Sequence, residues 1–171
     1  MVETRTPFAA RPRTQAPGIA PSAAAAILAG LIAGTLALAV MQSMAMLVYD
    51  ESPWKLLRMM AALVSGPGAL APRDEFDAAI VVTGLATHYT LSLLYALALT
   101  GLLRGVPREL AVPGGLAFGV ALYVANLYGF TQLFPWFAEM RTADTLFAHA
   151  IFGVVVADAY SELAHRHDRG I

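Results

Sequence analysis

Residues 23–48 read AAAAILAGLIAGTLALAVMQSMAMLV, a run without a single charged residue. A helix rises ~1.5 Å per residue, so about 20 apolar residues cross the ~30 Å hydrocarbon core of a bilayer. Three further apolar runs follow, at residues 78–103, 110–134 and 143–163. The sequence therefore predicts an all-α polytopic membrane protein with four transmembrane helices.

Composition supports the membrane assignment and limits the chemistry. The chain has 171 residues, of which 58% are hydrophobic and 13% charged, whereas soluble domains have ~25% charged residues. The net charge of −1 gives no reason to expect a nucleic-acid partner. With no cysteine, the chain has no disulfide, thiolate metal site or cysteine nucleophile. Because no familiar catalytic motif is present either, we expect no enzymatic activity.

The regions outside the apolar runs predict the orientation. Residues 1–22 are rich in proline and arginine and predict a disordered tail, residues 23–164 form the transmembrane domain, and residues 165–171 form a second tail. A signal peptide cleaved near residue 39 is the alternative, but the first apolar run is too long for one.

Four crossings place both termini on one side, which holds seven of the eleven basic residues and is therefore predicted to be cytoplasmic. These seven basic residues are Arg5, Arg11, Arg13, Arg104, Arg108, Arg166 and Arg169.

Abundant alanine and a single lysine are typical of a GC-rich bacterium. We therefore expect the protein in the bacterial inner membrane.

The long segment between the first two helices contains a shorter apolar stretch, residues 53–65. About 12 residues cannot span a bilayer, so we predict an interfacial helix on the outer surface. Its tryptophan should lie at headgroup depth. The predicted interfacial anchors are Trp54, Trp136, Arg58 and Arg141.

The two halves of the chain share a pattern that predicts an internal repeat. Gly30 and Gly34 in the first helix correspond to Gly115 and Gly119 in the third. Both two-helix units start inside, so the halves would be parallel repeats; convergence on common packing motifs is the alternative. The other matching residues are Pro53-Trp54 and Pro135-Trp136, Arg58 and Arg141, His88 with Ser92 and Ala96, and His149 with Gly153 and Ala157.

The paired glycines also predict how the helices associate. Residues four apart share one helix face, and small residues there allow two helix backbones to approach closely. We expect these G-x-x-x-G faces to pack against the small faces of the second and fourth helices, which contain Ser92 and Gly153. Homodimerisation through the glycines is the alternative.

Several stretches resemble a family of small bacterial four-helix membrane proteins of unassigned function, some of which carry the label sodium:proline symporter. The resemblance implies the same four-helix topology and no established activity. It covers almost everything after residue 26, and its most specific block is NLYGFTQLFPWFAEMR at residues 126–141. The other matching stretches are residues 30–34, Ser52-Pro53-Trp54 with Arg58-Met59, Phe76-Asp77-Ala78, His88 with Ser92 and Tyr95, and HAIFG at 149–153.

Four polar residues fall at membrane depth and form a candidate intramembrane cluster: His88, His149, Asn126 and Gln42. Polar groups in a bilayer are costly, so each needs a partner or a function. The simplest interpretation is that neutral histidines form hydrogen bonds between helices, with no cofactor. The sharper alternative is that His88 and His149 bind haem b or a transition metal, because imidazole suits both.

We therefore predict a non-catalytic membrane protein that works through packing and partners, as an accessory subunit or homo-oligomer in contact with the lipid bilayer. A small haem- or metal-binding redox protein is the first alternative. The second is a minimal oligomeric transporter, whose polar path would be lined by Gln42, Asn126, His88 and Asp158.

Overall fold

The computed structural model describes residues 23–169, which are helical and contain no strand. Four of its helical segments are long and apolar enough to cross a membrane, so the predicted fold class is confirmed. The helices are α1 (Ala23–Leu47), α2 (Lys55–Ser65), α3 (Ala78–Leu102), α4 (Arg108–Val124) and α5 (Ala143–Arg169).

The surface of α1 shows why lipid suits this domain. Ile27, Leu28, Leu31 and Ile32 are between 39% and 45% exposed, whereas the alanines on the opposite face are buried. An apolar surface of this kind, continued on the other long helices, is typical of helices that contact lipid.

Local sequence explains where α3 begins and where α2 ends. Asp77 immediately precedes α3, and its Oδ1 accepts hydrogen bonds from the backbone nitrogens of Ala79 (2.9 Å) and Ile80 (3.1 Å). This is a typical N-cap, in which a side chain satisfies free backbone donors. The end of α2 is set by Gly66, whose φ of 82° is costly for residues with a side chain.

The α2 helix is predicted to lie on the outer surface, and in the structure it packs along α3. A Cβ on Gly84 of α3 would lie 2.2 Å from the carbonyl oxygen of Leu57, so the two backbones touch. Arg58 is only 4% exposed; it donates to the carbonyls of Ala69 (3.1 Å) and Glu75 (2.7 Å). Arg58 thus holds the α2–α3 connection from inside the protein.

The third predicted helix, residues 110–134, differs from the structure at its outer end. Regular α-helix stops at Val124 and continues as a wider π turn at Ala125–Gly129. The cause lies further along the chain. Arg141 donates from Nε to the carbonyl of Leu127 (2.8 Å) and from Nη2 to the hydroxyl of Thr131 (2.8 Å), which takes this carbonyl out of the helical pattern.

The fourth predicted helix, residues 143–163, is longer in the structure. It continues as α5 to Arg169, because no proline or glycine occurs between residue 163 and Gly170. Most of the predicted second tail is therefore helical. The predicted first tail, residues 1–22, lies outside the described residues.

The long helices pack side by side in the order α3, α1, α5, α4. The central α1–α5 contact is close, because alanines of α1 meet larger side chains of α5 such as Phe152 and Val156. Since α3 and α4 stand at opposite ends of this row, the bundle is open between them.

Ion pairs join the outer loops of the two halves. Glu139 accepts two hydrogen bonds from the guanidinium of Arg73, at 3.0 and 3.1 Å, and lies 3.5 Å from Nζ of Lys55. The Arg73 guanidinium holds the pKa of Glu139 below its usual range, although burial acts in the opposite direction.

Candidate functional site

A cavity of about 770 Å³ lies between α3 and α4. Leu38 of α1 and Phe152 of α5 form part of its floor, while Met60 of α2 and Phe137 line its outer end. Its volume is within the ~300–1,000 Å³ typical of small-molecule sites. Most of the lining is apolar, so the cavity suits a lipophilic molecule.

The cavity reaches the lateral surface of the bundle. Val64 of α2, Val82 of α3 and Phe130 beyond α4 line it and are also exposed. Because this surface is apolar, a molecule could pass between the cavity and the hydrocarbon layer without crossing a polar surface.

A chain of hydrogen bonds in the cavity wall begins at His149. Nδ1 of His149 lies 2.8 Å from the carbonyl oxygen of Thr145, one turn back in α5. A carbonyl only accepts, so Nδ1 has the proton. In the neutral ring Nε2 is then an acceptor, and it lies 3.4 Å from the amide nitrogen of Asn126.

The protonation of His149 determines the direction of the other hydrogen bonds in this series. The amide nitrogen of Asn126 must point at Nε2 of His149, so its Oδ1 points away and accepts from the hydroxyl of Tyr95 at 2.9 Å. These three side chains connect α5, the π turn after α4, and α3 across the open side of the bundle. Asn126 itself belongs to the π turn, a distortion often found at functional sites.

His88 lines the same cavity but does not join this chain. Its Nε2 lies 3.0 Å from the carbonyl oxygen of Gly34 in α1 and therefore has the ring proton. Nδ1 is then the acceptor of the neutral ring, and within residues 23–163 the structure gives it no hydrogen-bond donor. The two histidines thus have opposite tautomers.

Hydroxyl groups add further polarity to the α3 side of the cavity. Thr83, Thr87 and Ser92 donate to the carbonyls of Ala79, Thr83 and His88, respectively, at 2.8–2.9 Å. Their protons are used within the helix, while their oxygen lone pairs stay available. Of the described residues that line the cavity, none is Asp, Glu, Lys or Arg.

Gln42, the fourth member of the predicted cluster, lies apart from the other three. Its amide nitrogen donates to the carbonyl of Pro53 at 2.7 Å, which ties α1 to the start of α2. Its Oε1 is buried and has no hydrogen-bond partner in the part of the chain that the structure describes. The structure therefore brings His88, His149 and Asn126 to one cavity and gives Gln42 a different position.

The glycines of α1 lie at its contact with α3. A Cβ on Gly30 would lie 2.8 Å from that of Ala96, and one on Gly34 would lie 2.7 Å from Oγ of Ser92. Both distances are shorter than ordinary contacts, so only glycine allows this approach.

The glycines of α4 lie at the equivalent places against α5. A Cβ on Gly115 would lie 2.7 Å from that of Ala157 and 2.3 Å from the carbonyl oxygen of Gly153. One on Gly119 would lie 2.2 Å from the carbonyl oxygen of His149. Gly30 and Gly115 thus meet corresponding alanines, Ala96 and Ala157, whereas Gly34 meets Ser92 and Gly119 meets His149.

The four predicted interfacial anchors all have partners within the protein. Nε1 of Trp136 lies 3.3 Å from the carbonyl oxygen of Met59 and links the two halves. The ring of Trp54 lies edge-on to Phe76, and the guanidinium of Arg141 lies 4.6 Å above the ring of Tyr128. With Arg58, they position the outer loops.

Two residues of the site have little or no signal in the sequence. Nothing in the sequence predicts that the hydroxyl of Tyr95 donates a hydrogen bond to Asn126. Thr145 takes part through its backbone carbonyl, which no sequence pattern marks. One sequence feature does point to Tyr95: it lies seven residues after His88, and this spacing places both residues on one face of α3.

A metal centre would need more ligands than the site supplies. Within the described part of the chain, no three His, Asp or Glu side chains lie close enough together to hold an ion. The two histidines of the cavity are the imidazoles that could bind a haem.

Comparison with protein-family models, curated proteins and solved structures finds no match for this chain.

Proposed function

We propose that this is a non-catalytic integral membrane protein that holds a lipophilic molecule in the cavity between α3 and α4. The observation that carries the proposal is a cavity of about 770 Å³ that opens sideways through apolar surface and has hydrogen-bonding groups on its inner walls. A largely apolar pocket with a few convergent polar groups is the usual form of a ligand site.

The state of the polar groups favours binding over catalysis. The ring protons of both histidines are directed at backbone carbonyls, and no charged side chain among the described residues lines the cavity. A general acid would need a proton that is free to move to the ligand, so neither neutral histidine is placed to act as one.

Extraction of the purified protein tests the proposal. Ala86 is exposed and lines the cavity, so Ala86→Trp should fill it without disturbing a packed core; Ala98→Trp, on an exposed position of α3 outside the cavity, is the matched control. Organic extracts analysed by mass spectrometry should contain a near-stoichiometric lipophilic molecule with the wild type and Ala98→Trp, and much less with Ala86→Trp. Equal recovery from all three proteins would overturn the proposal.

We also propose that the protein lies in the bacterial inner membrane with both termini in the cytoplasm, supported by the seven-to-four distribution of basic residues. The chain has no cysteine, so single cysteines report orientation directly. In intact cells, an impermeant maleimide should label Ser65→Cys and Leu133→Cys, and should reach Val106→Cys only after lysis. The reverse pattern would refute the orientation.

The proposed parallel repeat is supported by one pair of corresponding contacts, Gly30 of α1 with Ala96 of α3 and Gly115 of α4 with Ala157 of α5. The repeat would make α3 and α5 equivalent, with His88 and His149 at corresponding positions. Under the repeat, the contact between α1 and α5 would correspond to a contact between α4 and α3. The bundle is open at that place, and the cavity lies there.

A haem b between His88 and His149 is the second candidate, favoured because both rings line one cavity. Binding through Nε2 would require each ring to exchange its present partner, Gly34 or Asn126. Protein purified from haem-supplemented cells should then have a Soret band that His88→Ala abolishes. A wild-type spectrum without that band would rule the candidate out.

A further inference from the structure

We infer, resting on the proposed function, that the cavity selects a lipophilic molecule whose head group is neutral and donates a hydrogen bond: a long-chain alcohol. Several polar groups of the cavity still lack a hydrogen-bond partner within the described residues. Charge, donors, acceptors and volume each narrow the choice.

Charge excludes the ionic amphiphiles. The described lining has no carboxylate that could pair with an ammonium group, and no lysine or arginine that could pair with a carboxylate or phosphate. An unpaired ion in such a place is far more costly than a neutral polar group. The head group is therefore uncharged.

Most donors around the cavity are already used. The protons of Tyr95, His88 and His149 are directed at protein acceptors, as are those of the α3 hydroxyls described above. An ester or quinone, whose head groups only accept, would find few free protons in this cavity.

Acceptors are left over, and Nδ1 of His88 is the strongest of them. A hydroxyl group donates one hydrogen bond to such a nitrogen and can accept another through its oxygen. The second amide proton of Asn126 and the hydroxyl of Thr90 have no partner within residues 23–163, so both are suitable donors for that oxygen. An alcohol is the smallest neutral group that meets both needs.

The volume sets the size of the molecule. At ~30 Å³ for each water-sized group, 770 Å³ holds about 25 non-hydrogen atoms. A chain of that order fills the cavity, and a longer chain would extend through the lateral opening beside Val82 and Phe130.

Photoaffinity competition tests the inference. Wild-type protein in lipid nanodiscs is labelled with hexadecanol bearing a chain diazirine, and labelled residues are identified by mass spectrometry. The competitors are 1-hexadecanol, 1-methoxyhexadecane, which has no donor, and hexadecanoate at pH 8, which is charged. We expect the alcohol to compete at about fivefold lower concentration than the ether, the effect of one hydrogen bond.

Two variants locate the effect. His88→Leu removes the acceptor and should reduce the preference for the alcohol to about unity, while labelling itself continues. Thr35→Val is the control, because its hydroxyl bonds Tyr89 away from the cavity. If His88→Leu does not fold, the preference of the wild-type protein for the alcohol over the ether is the test of the inference.

The outcomes separate the inference from the function on which it rests. Cavity labelling with equal competition by alcohol and ether, or with stronger competition by the carboxylate, would overturn the alcohol while leaving a lipophilic site. Absence of label from the cavity, or label that Ala86→Trp does not reduce, would overturn both.

Discussion

Gly153 of α5 and Gly115 of α4 meet backbone to backbone: a Cβ on Gly153 would lie 2.0 Å from the carbonyl oxygen of Gly115. No flexible side chain is present to yield, so even one methyl group must separate the helices. Two-helix packing in the second half therefore depends on both residues having no side chain.

Gly153→Ala should lower the free energy of unfolding by about 1–3 kcal/mol, the usual cost of overpacking. Gly101→Ala is the control, because Gly101 is helical and has open space around it; it should be neutral or slightly stabilising. Thermal unfolding in detergent, followed by circular dichroism, measures both. Equal effects would show that the backbone contact is not needed.

Arg58→Met should destabilise the domain by about 1–3 kcal/mol, since it leaves buried carbonyls of the α2–α3 connection without donors. Arg73→Met is the matched control, because the Arg73 side chain is 50% exposed and its ion pair is worth at most about 1 kcal/mol. Denaturant titration in mixed micelles gives both values. A larger loss for Arg73 would contradict the structural role of Arg58.

Tyr95→Phe and Asn126→Leu should be energetically coupled, because the first residue donates to the second across the open side of the bundle. Hydrogen bonds of this kind average about 0.6 kcal/mol in membranes, with a maximum near ~1.7. A double-mutant cycle on the free energy of unfolding measures the coupling. Thr35→Val with Asn126→Leu is the control pair and should be additive.

Glu139→Gln should remove part of the acid sensitivity of the domain. The pKa of Glu139 is lowered in the folded protein, so its contribution is complete above the ordinary glutamate pKa of about 4.3 and is lost as pH falls through the lower folded value. Because its side chain is 42% exposed, the contribution is at most about 1 kcal/mol and falls with salt.

Melting temperatures between pH 6 and pH 3 provide the measurement. The wild type should lose more stability over this range than Glu139→Gln, whereas Glu109→Gln, at an exposed position of α4, should follow the wild type. Identical curves for all three proteins would show that the outer ion pairs add nothing to folding.

The sequence was informative wherever structure depends on local pattern. Length and uniform apolarity predict all four long helices, since a bilayer imposes both. The sequence predicts that His88, Asn126 and His149 lie at membrane depth, but it does not determine which residues they bond. Gln42 shares that depth and instead bonds Pro53 in the adjacent loop.

Features set by distant contacts were not predictable. The π turn after Val124 depends on Arg141, which returns from beyond the outer loop to the carbonyl of Leu127. The cavity depends on the separation of α3 from α4, which follows from the packing order of the whole bundle. No window of neighbouring residues contains either relationship.

If the cavity holds a ligand as proposed, the lateral opening beside Val82 and Phe130 determines which concentration governs its occupancy. A molecule that arrives through this gap is drawn from the two-dimensional pool of the bilayer, where lipophilic solutes accumulate far above their level in water. Saturation would then follow mole fraction in the membrane, and even a sparingly soluble compound would fill the protein.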